Sequence, residues 1–248
     1  MKKINLIIIV LFLLLTTTIS AQKIYPVTSG GMIFSSGTLE FTDAYLAQYP
    51  GAQVSKVPVR FTVFYNFYQN WHFDINGNVG FYTGLGISNV GMISDEVLYN
   101  NNPNIESYQN YKIIRRLYTG SIPLALKLGS FKDNFYIYGG GEYELAIHYK
   151  EKYWNSHDRD GAKTKYTEWF GNQTPSFIPS VFAGIQLPKG LNLKFKYYLD
   201  NFFNHEVSNT NFITDLSKYK NSQVWLISLS FQFNSAYLNP GNWDEKIN

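Results

Sequence analysis

Residues 60–74 read Arg-Phe-Thr-Val-Phe-Tyr-Asn-Phe-Tyr-Gln-Asn-Trp-His-Phe-Asp. Odd positions carry Phe61, Val63, Tyr65, Phe67, Gln69, Trp71 and Phe73, while even positions carry Arg60, Thr62, Phe64, Asn66, Tyr68, Asn70, His72 and Asp74. Successive side chains of a strand point to opposite faces, so this period of two makes one greasy face and one mostly polar face. A helix would scatter the same residues around its axis.

The test succeeds again along the chain. Phe135–Lys150 sets Phe135, Ile137, Tyr143, Leu145, Ile147 and Tyr149 against Tyr136, Tyr138, Gly140, Glu142, Glu144, His148 and Lys150. Leu191–Asp200 and Trp225–Phe233 alternate as cleanly, and Val79–Met92, Arg115–Leu128, Ile178–Leu187 and Gly31–Phe41 follow less strictly. Eight strands result, and the chain is expected to be all-β. The apolar face holds large aromatics and branched aliphatics with almost no charge. A secreted soluble sandwich would bury that face; a transmembrane barrel would turn it to lipid and keep the polar face for its lumen.

Connection lengths decide between them. Residues 42–58, 94–111, 151–177 and 201–222 are long, whereas 76–78, 130–134 and 188–190 are short. Outer-membrane barrels have short periplasmic turns and long outer loops. With eight strands and a periplasmic N-terminus, every long connection falls outside. Rings at strand ends agree: Trp71 and Phe73 at the periplasmic rim, Trp225 at the outer one. The chain's start agrees too. Met1-Lys2-Lys3 is a positive segment, Ile4–Leu15 is apolar except for Asn5, and small residues lead to a cut after Ala21. Such a run is too short for a spanning helix and reads as a cleaved signal peptide, residues 1–21. The barrel is expected over 22–234, with a periplasmic tail over 235–248. The expected location is the cell outer membrane, crossed many times.

Composition excludes several classes. The 248 residues contain no cysteine, which rules out disulfides and thiolate metal sites. Lys and Arg number 21 against 18 Asp and Glu, without runs, so nothing favours nucleic acid.

Ser121-Ile122-Pro123-Leu124-Ala125-Leu126-Lys127, a short turn, and Tyr136-Ile137-Tyr138-Gly139-Gly140-Gly141-Glu142-Tyr143 resemble the central hairpin of the PorT-like outer-membrane β-barrel family typical of Bacteroidota. Ala183-Gly184-Ile185-Gln186 followed by Leu191–Tyr198 resembles that family's next hairpin. The pattern covers roughly residues 58–234. It implies an eight-stranded antiparallel barrel inserted by the outer-membrane assembly machinery. The family's namesake is tied to protein secretion and gliding, and nothing in these residues selects that branch.

An eight-stranded barrel is just wide enough for side chains to fill. Its predicted polar lumen contains Arg60, Asp74, Arg115, Lys127, Glu142, Glu144, Lys194 and Lys196, with Asp200. Glu142 and Glu144 are expected to pair with Arg115 and Lys127, giving a plugged bore and no general pore. Catalytic patterns are thin. His72 and His148 are expected inside. His157-Asp158 and His205-Glu206 place a candidate base beside a carboxylate, but adjacency in a loop does not orient the pair. No metal or cofactor is expected. The aromatic outer loops, with Tyr153, Trp154, Trp169, Phe170, Phe202 and Phe203, form either a binding surface or a lid. Two functions follow: a non-enzymatic barrel that is a structural, docking or accessory subunit of an envelope complex, or a small lipid A acyl-modifying or proteolytic barrel using loop histidines. Expected partners are outer-membrane lipid and lipopolysaccharide, with an envelope protein as a further candidate.

Overall fold

All eight predicted strands are present, and the first and last of them pair with each other. The computed structural model describes residues 23–100, 107–156, 158–209, 211 and 213–234; the segments expected to be a signal peptide and a periplasmic tail, with His157 and Phe212, lie outside them. The strands are β1 (Lys23–Phe41), β2 (Gln53–Lys56), β3 (Arg60–Thr62), β4 (Phe67–Asp74), β5 (Val79–Asn100), β6 (Ser107–Ser130), β7 (Phe135–Trp154), β8 (Lys163–Trp169), β9 (Phe177–Gln186), β10 (Leu191–Tyr198) and β11 (Tyr219–Asn234), with one helix, α1 (Asp43–Gln48). Their order is β11-β10-β9-β7-β6-β5-β4-β1, and β1 closes on β11 from Val27 opposite Asn234 to Phe41 opposite Tyr219. Neighbours in the ring are antiparallel, and β3 carries β4's place along β1. Closure pairs the first and last strands of the ring, so neither presents to hydrocarbon an edge of bare N–H and C=O groups.

Alternation sorts the side chains as the sequence demands. On β6, Ile122, Leu124, Leu126 and Leu128 are exposed outward, and Ser121, Ala125 and Lys127 are buried inward. Ile137 and Tyr143 of β7, Leu193, Phe195 and Tyr197 of β10, and Phe231 and Phe233 of β11 continue the outward belt. At the periplasmic rim Phe73 stacks on Phe81 with ring centroids 4.8 Å apart.

Three strands run well past this belt. Residues 94–100 and 107–111, predicted as loop, extend β5 and β6 into a long hairpin, and β8 pairs back along β7. In this extension the inner face turns apolar. Val90, Met92, Leu98, Tyr111, Ile113 and Leu117 are buried in one cluster with Ile33, Leu39 and Phe41 of β1. The chain thus has a polar core inside the belt and an apolar core above it.

Two irregularities set the register. Between Thr62 and Phe67 the β3–β4 path carries two more residues than the β1 stretch opposite it. An even insertion leaves every later side chain on its own face, so Asn66, Tyr68, Asn70, His72 and Asp74 are all buried. On β7, Tyr118 faces His148 while Thr119 faces Ala146, so Ile147 is an extra residue. A single insertion swaps the faces. His148 and Lys150, predicted inward, therefore share the outward face, and Tyr149 and Glu151 are buried inside.

At the closing seam β1 approaches β11 so tightly that a Cβ on Gly31 would meet the Leu229 carbonyl oxygen and the Ser230 Cα and Cβ. Gly77, in the first periplasmic turn, has nothing within 4 Å of the same atom. Gly31→Val is expected to reduce the yield of the compact, heat-modifiable species on unboiled gels, and Gly77→Ala is expected to leave it unchanged.

Candidate functional site

The bore is filled by three layers of charge. Nearest the periplasm, the Lys127 ammonium lies 2.5 Å from Asp74 Oδ1 and donates to Tyr25 Oη at 2.9 Å. His72 Nδ1 is 3.2 Å from the same nitrogen, and the Phe131 ring lies 4.1 Å below it. The His72 ring stacks on Tyr82 at 5.0 Å. These groups come from β1, β4, β5, β6 and the turn after β6, so the layer crosses the barrel.

In the middle layer Lys196 Nζ sits 2.7 Å from both Glu142 Oε1 and Glu144 Oε1. Lys194 is 3.7 Å from Glu142 Oε2, with its ammonium 4.1 Å from the Tyr68 ring centroid. Tyr68 Oη donates to Glu142 at 2.8 Å, and Glu144 accepts from Tyr198 Oη at 2.8 Å and Thr119 Oγ1 at 2.6 Å. Two carboxylates this close would repel each other without the shared ammonium. Beside Lys194 lies a cavity of ≈20 Å³ bordered by Asn66, Tyr138 and Asn192, about enough for one water.

The outer layer centres on Arg115, which is fully buried. Its Nε donates to Glu151 at 2.9 Å, and its Nη1 donates to Glu96 at 2.7 Å and Ser94 at 3.0 Å. Nη2 donates to Tyr219 Oη at 2.8 Å, and Tyr219 in turn donates to Glu96 at 2.6 Å. The Phe203 ring lies 5.0 Å from the guanidinium carbon.

Asp74, Arg115, Lys127, Glu142, Glu144, Lys194 and Lys196 are therefore inside as predicted, but their pairing differs. Arg115 binds Glu96 and Glu151, and Lys127 binds Asp74, while the two β7 glutamates take Lys194 and Lys196 from β10, across β9. Neighbouring strands are staggered, so sequence order does not tell which charges share a level. Arg60 is a second correction. Its guanidinium donates to the Asn89 carbonyl at 3.1 Å and Asn89 Oδ1 at 2.7 Å, filling the gap where the β3–β4 path leaves β5. Asp200 is exposed after the end of β10. Glu96, Glu151 and Tyr219 were missed because they fell in predicted loops; the continuing alternation Ser94, Glu96, Leu98 was the available signal.

A lid closes the outer end. Phe202 and Phe203 are each 1% exposed, packed with Ile213 and Leu216 on the apolar core. Of the two expectations for the aromatic loops, these two residues form the lid and are not part of an exposed binding surface. Backbone bonds hold the lid down: Phe202 N–H donates to the Ser222 carbonyl at 2.8 Å and Asn204 N–H to the Gln173 carbonyl at 2.9 Å. Burial pushes the Lys218 amine down to about 8 despite the attraction of Glu96, and its Nζ donates to the Ile213 carbonyl at 2.9 Å. Tyr153 and Trp154 are half-buried, whereas Trp169 and Phe170 are 67% and 68% exposed.

A closed ring with an apolar outer belt and charges confined to its bore is a surface made for lipid. The chain is an outer-membrane β-barrel. No family model matches it, and no curated protein does either. Among solved structures it is similar to Ail, the attachment invasion locus protein of Yersinia pestis, with 11% identity over 84% of this chain and 97% of that one at a TM-score of 0.33. The same protein with the heparin analogue sucrose octasulfate gives 12% identity, coverages of 85% and 99% and a TM-score of 0.37. OprG from Pseudomonas aeruginosa gives 10% identity, coverages of 85% and 95% and a TM-score of 0.33.

Of the two loop histidines only His205 lies among the described residues, and it bonds to Ser222 and not to Glu206 beside it. His205 Nε2 lies 2.9 Å from Ser222 Oγ, which also accepts the Phe203 N–H at 3.0 Å and is fully buried. Burial lowers the His205 pKa from its ordinary value. Among the described residues no three His, Asp or Glu side chains converge as metal ligands.

Lys196→Met removes the cation shared by Glu142 and Glu144 and is expected to cost about 3–5 kcal/mol in urea unfolding from detergent. Adding Glu142→Gln and Glu144→Gln is expected to recover most of that loss. The filled bore also predicts no steady current in planar lipid bilayers, and stable steps of porin size would contradict it.

Proposed function

We propose that the protein is a non-enzymatic barrel acting as a structural, docking or accessory subunit of a cell-envelope complex. The observation that carries this reading is the sealed bore. Three charge layers and an apolar cap occupy the path a solute would take, which leaves the outer walls and loop surfaces to do the work. Trp169 and Phe170 stand exposed at the end of β8, and large exposed rings beside a rigid sheet are typical anchors of a protein interface. The enzymatic alternative draws no support from His205, whose serine neighbour is buried and already hydrogen-bonded; His157 lies outside the described residues.

The test is purification of the tagged protein from its own membranes in mild detergent, with stoichiometry by mass spectrometry. A partner in fixed ratio, lost in a Trp169→Ala/Phe170→Ala variant that still folds, is the expected result. A monomer free of stoichiometric partners would overturn the accessory role.

A further inference from the structure

The outward face of β6, β7 and β8 changes character just above the belt. Reading the register across the three strands gives successive rows. The first is Tyr118, His148 and Trp169; the second Arg116, Lys150 and Thr167; the third Ile114, Lys152 and Lys165; the fourth Lys112, Trp154 and Lys163. The first row is a continuous stack, with Tyr118 and His148 ring centroids 5.5 Å apart and His148 and Trp169 4.3 Å apart. From the periplasm outward, the wall therefore presents aliphatic groups, then stacked rings, then cations. That is the order of acyl chain, interface and headgroup in a lipid leaflet.

The cations are not neutralised by the protein. Lys112 shares Asp95 with Lys56, each at 3.4 Å. Arg116, Lys150, Lys152, Lys163 and Lys165 have no carboxylate within 4.0 Å among the described residues. The Lys152 ammonium feels the repulsion of Arg116, Lys150, Lys163 and Lys165 together. Lys152 and Lys165 stand directly opposite each other across the β7–β8 ladder, an arrangement of like charges that destabilises a sheet. The buried Arg116 Nε has no hydrogen-bond partner among the described residues. Glu168, the acid of β8, faces the other way and accepts a 2.5 Å hydrogen bond from Tyr166. An external anion would relieve the repulsion among these cations.

We propose that this face binds the phosphate groups of an anionic glycolipid in the outer leaflet. Arg116, Lys150, Lys152 and Lys165 take the phosphates, and the exposed Trp169 ring lies against the sugar that carries them. A lipid is favoured over a soluble polyanion because the cationic rows continue the hydrocarbon belt on the same strands. The cationic rows do not depend on the docking role, although Trp169 belongs to both surfaces.

The protein in detergent micelles would be titrated with diphosphoryl lipid A, monophosphoryl lipid A and phosphatidylcholine, with bound lipid counted by native mass spectrometry. Diphosphoryl lipid A should bind best and phosphatidylcholine least. A Lys150→Gln/Lys152→Gln/Lys165→Gln variant should lose roughly tenfold or more in lipid A affinity. A Lys132→Gln/Lys189→Gln control at the periplasmic turns should bind as before. Heat-modifiable mobility on gels establishes that each variant is folded. Equal binding of the three lipids, or equal binding by the two variants, would overturn the proposal. So would a sulfated oligosaccharide that needs the same lysines while lipid A does not.

Discussion

Every backbone N–H and C=O that enters hydrocarbon must find a partner in the protein, because no solvent there will supply one. In this chain that requirement is met by the pairing of β1 with β11. Once the ring is shut, one face of each strand is committed to lipid and the other to the bore. The bore of eight strands is too narrow for bulk water yet lined by charges, so those charges must neutralise one another. Asp74–Lys127, Glu142 and Glu144 with Lys194 and Lys196, and Glu96 and Glu151 with Arg115 are the result. The ion pairs are a consequence of closure, and they also keep the bore shut.

Above the belt the solvent on the outer wall is water again, and the polarity of the strands reverses. β5 and β6 place Val90, Met92, Ile113 and Leu117 inside and Lys112 and Arg116 outside. The outer half is organised like a soluble domain whose core is covered by α1 and the lid. Thr42 caps α1 by accepting the Tyr45 N–H, and its own N–H donates to the Lys218 carbonyl, tying helix to lid. Arg115 and its carboxylate partners Glu96 and Glu151 are buried within that apolar region. Four donor contacts, to Glu96, Glu151, Ser94 and Tyr219, together with the Phe203 ring, surround Arg115.

The part of the fold that rests on period two was legible. Phe67–Asp74, Ile122–Leu128 and Leu191–Tyr198 face as their alternation says, because lipid and bore impose opposite demands on adjacent residues. The extended hairpin was not, since alternation there runs with reversed polarity and Ser94, Asp95, Glu96 in succession look like loop. Ile147 was invisible for another reason. An extra residue in a strand leaves no compositional mark, yet it moved His148 and Lys150 to the outer wall. Ion partners were legible as residue types but not as pairs, because height along the barrel depends on strand stagger. Phe202 and Phe203 look the same in sequence whether they anchor a partner or fill a core.

The lid rests on residues from both ends of the barrel. Phe203 packs on Tyr219 at the start of β11, and Tyr219 stacks on Phe41 at the end of β1. Those two strands are the farthest apart in the chain and meet only when the ring is complete. The platform on which the cap sits is therefore complete only in the closed ring, so a change that weakens the seam between β1 and β11 also loosens the cover over Arg115.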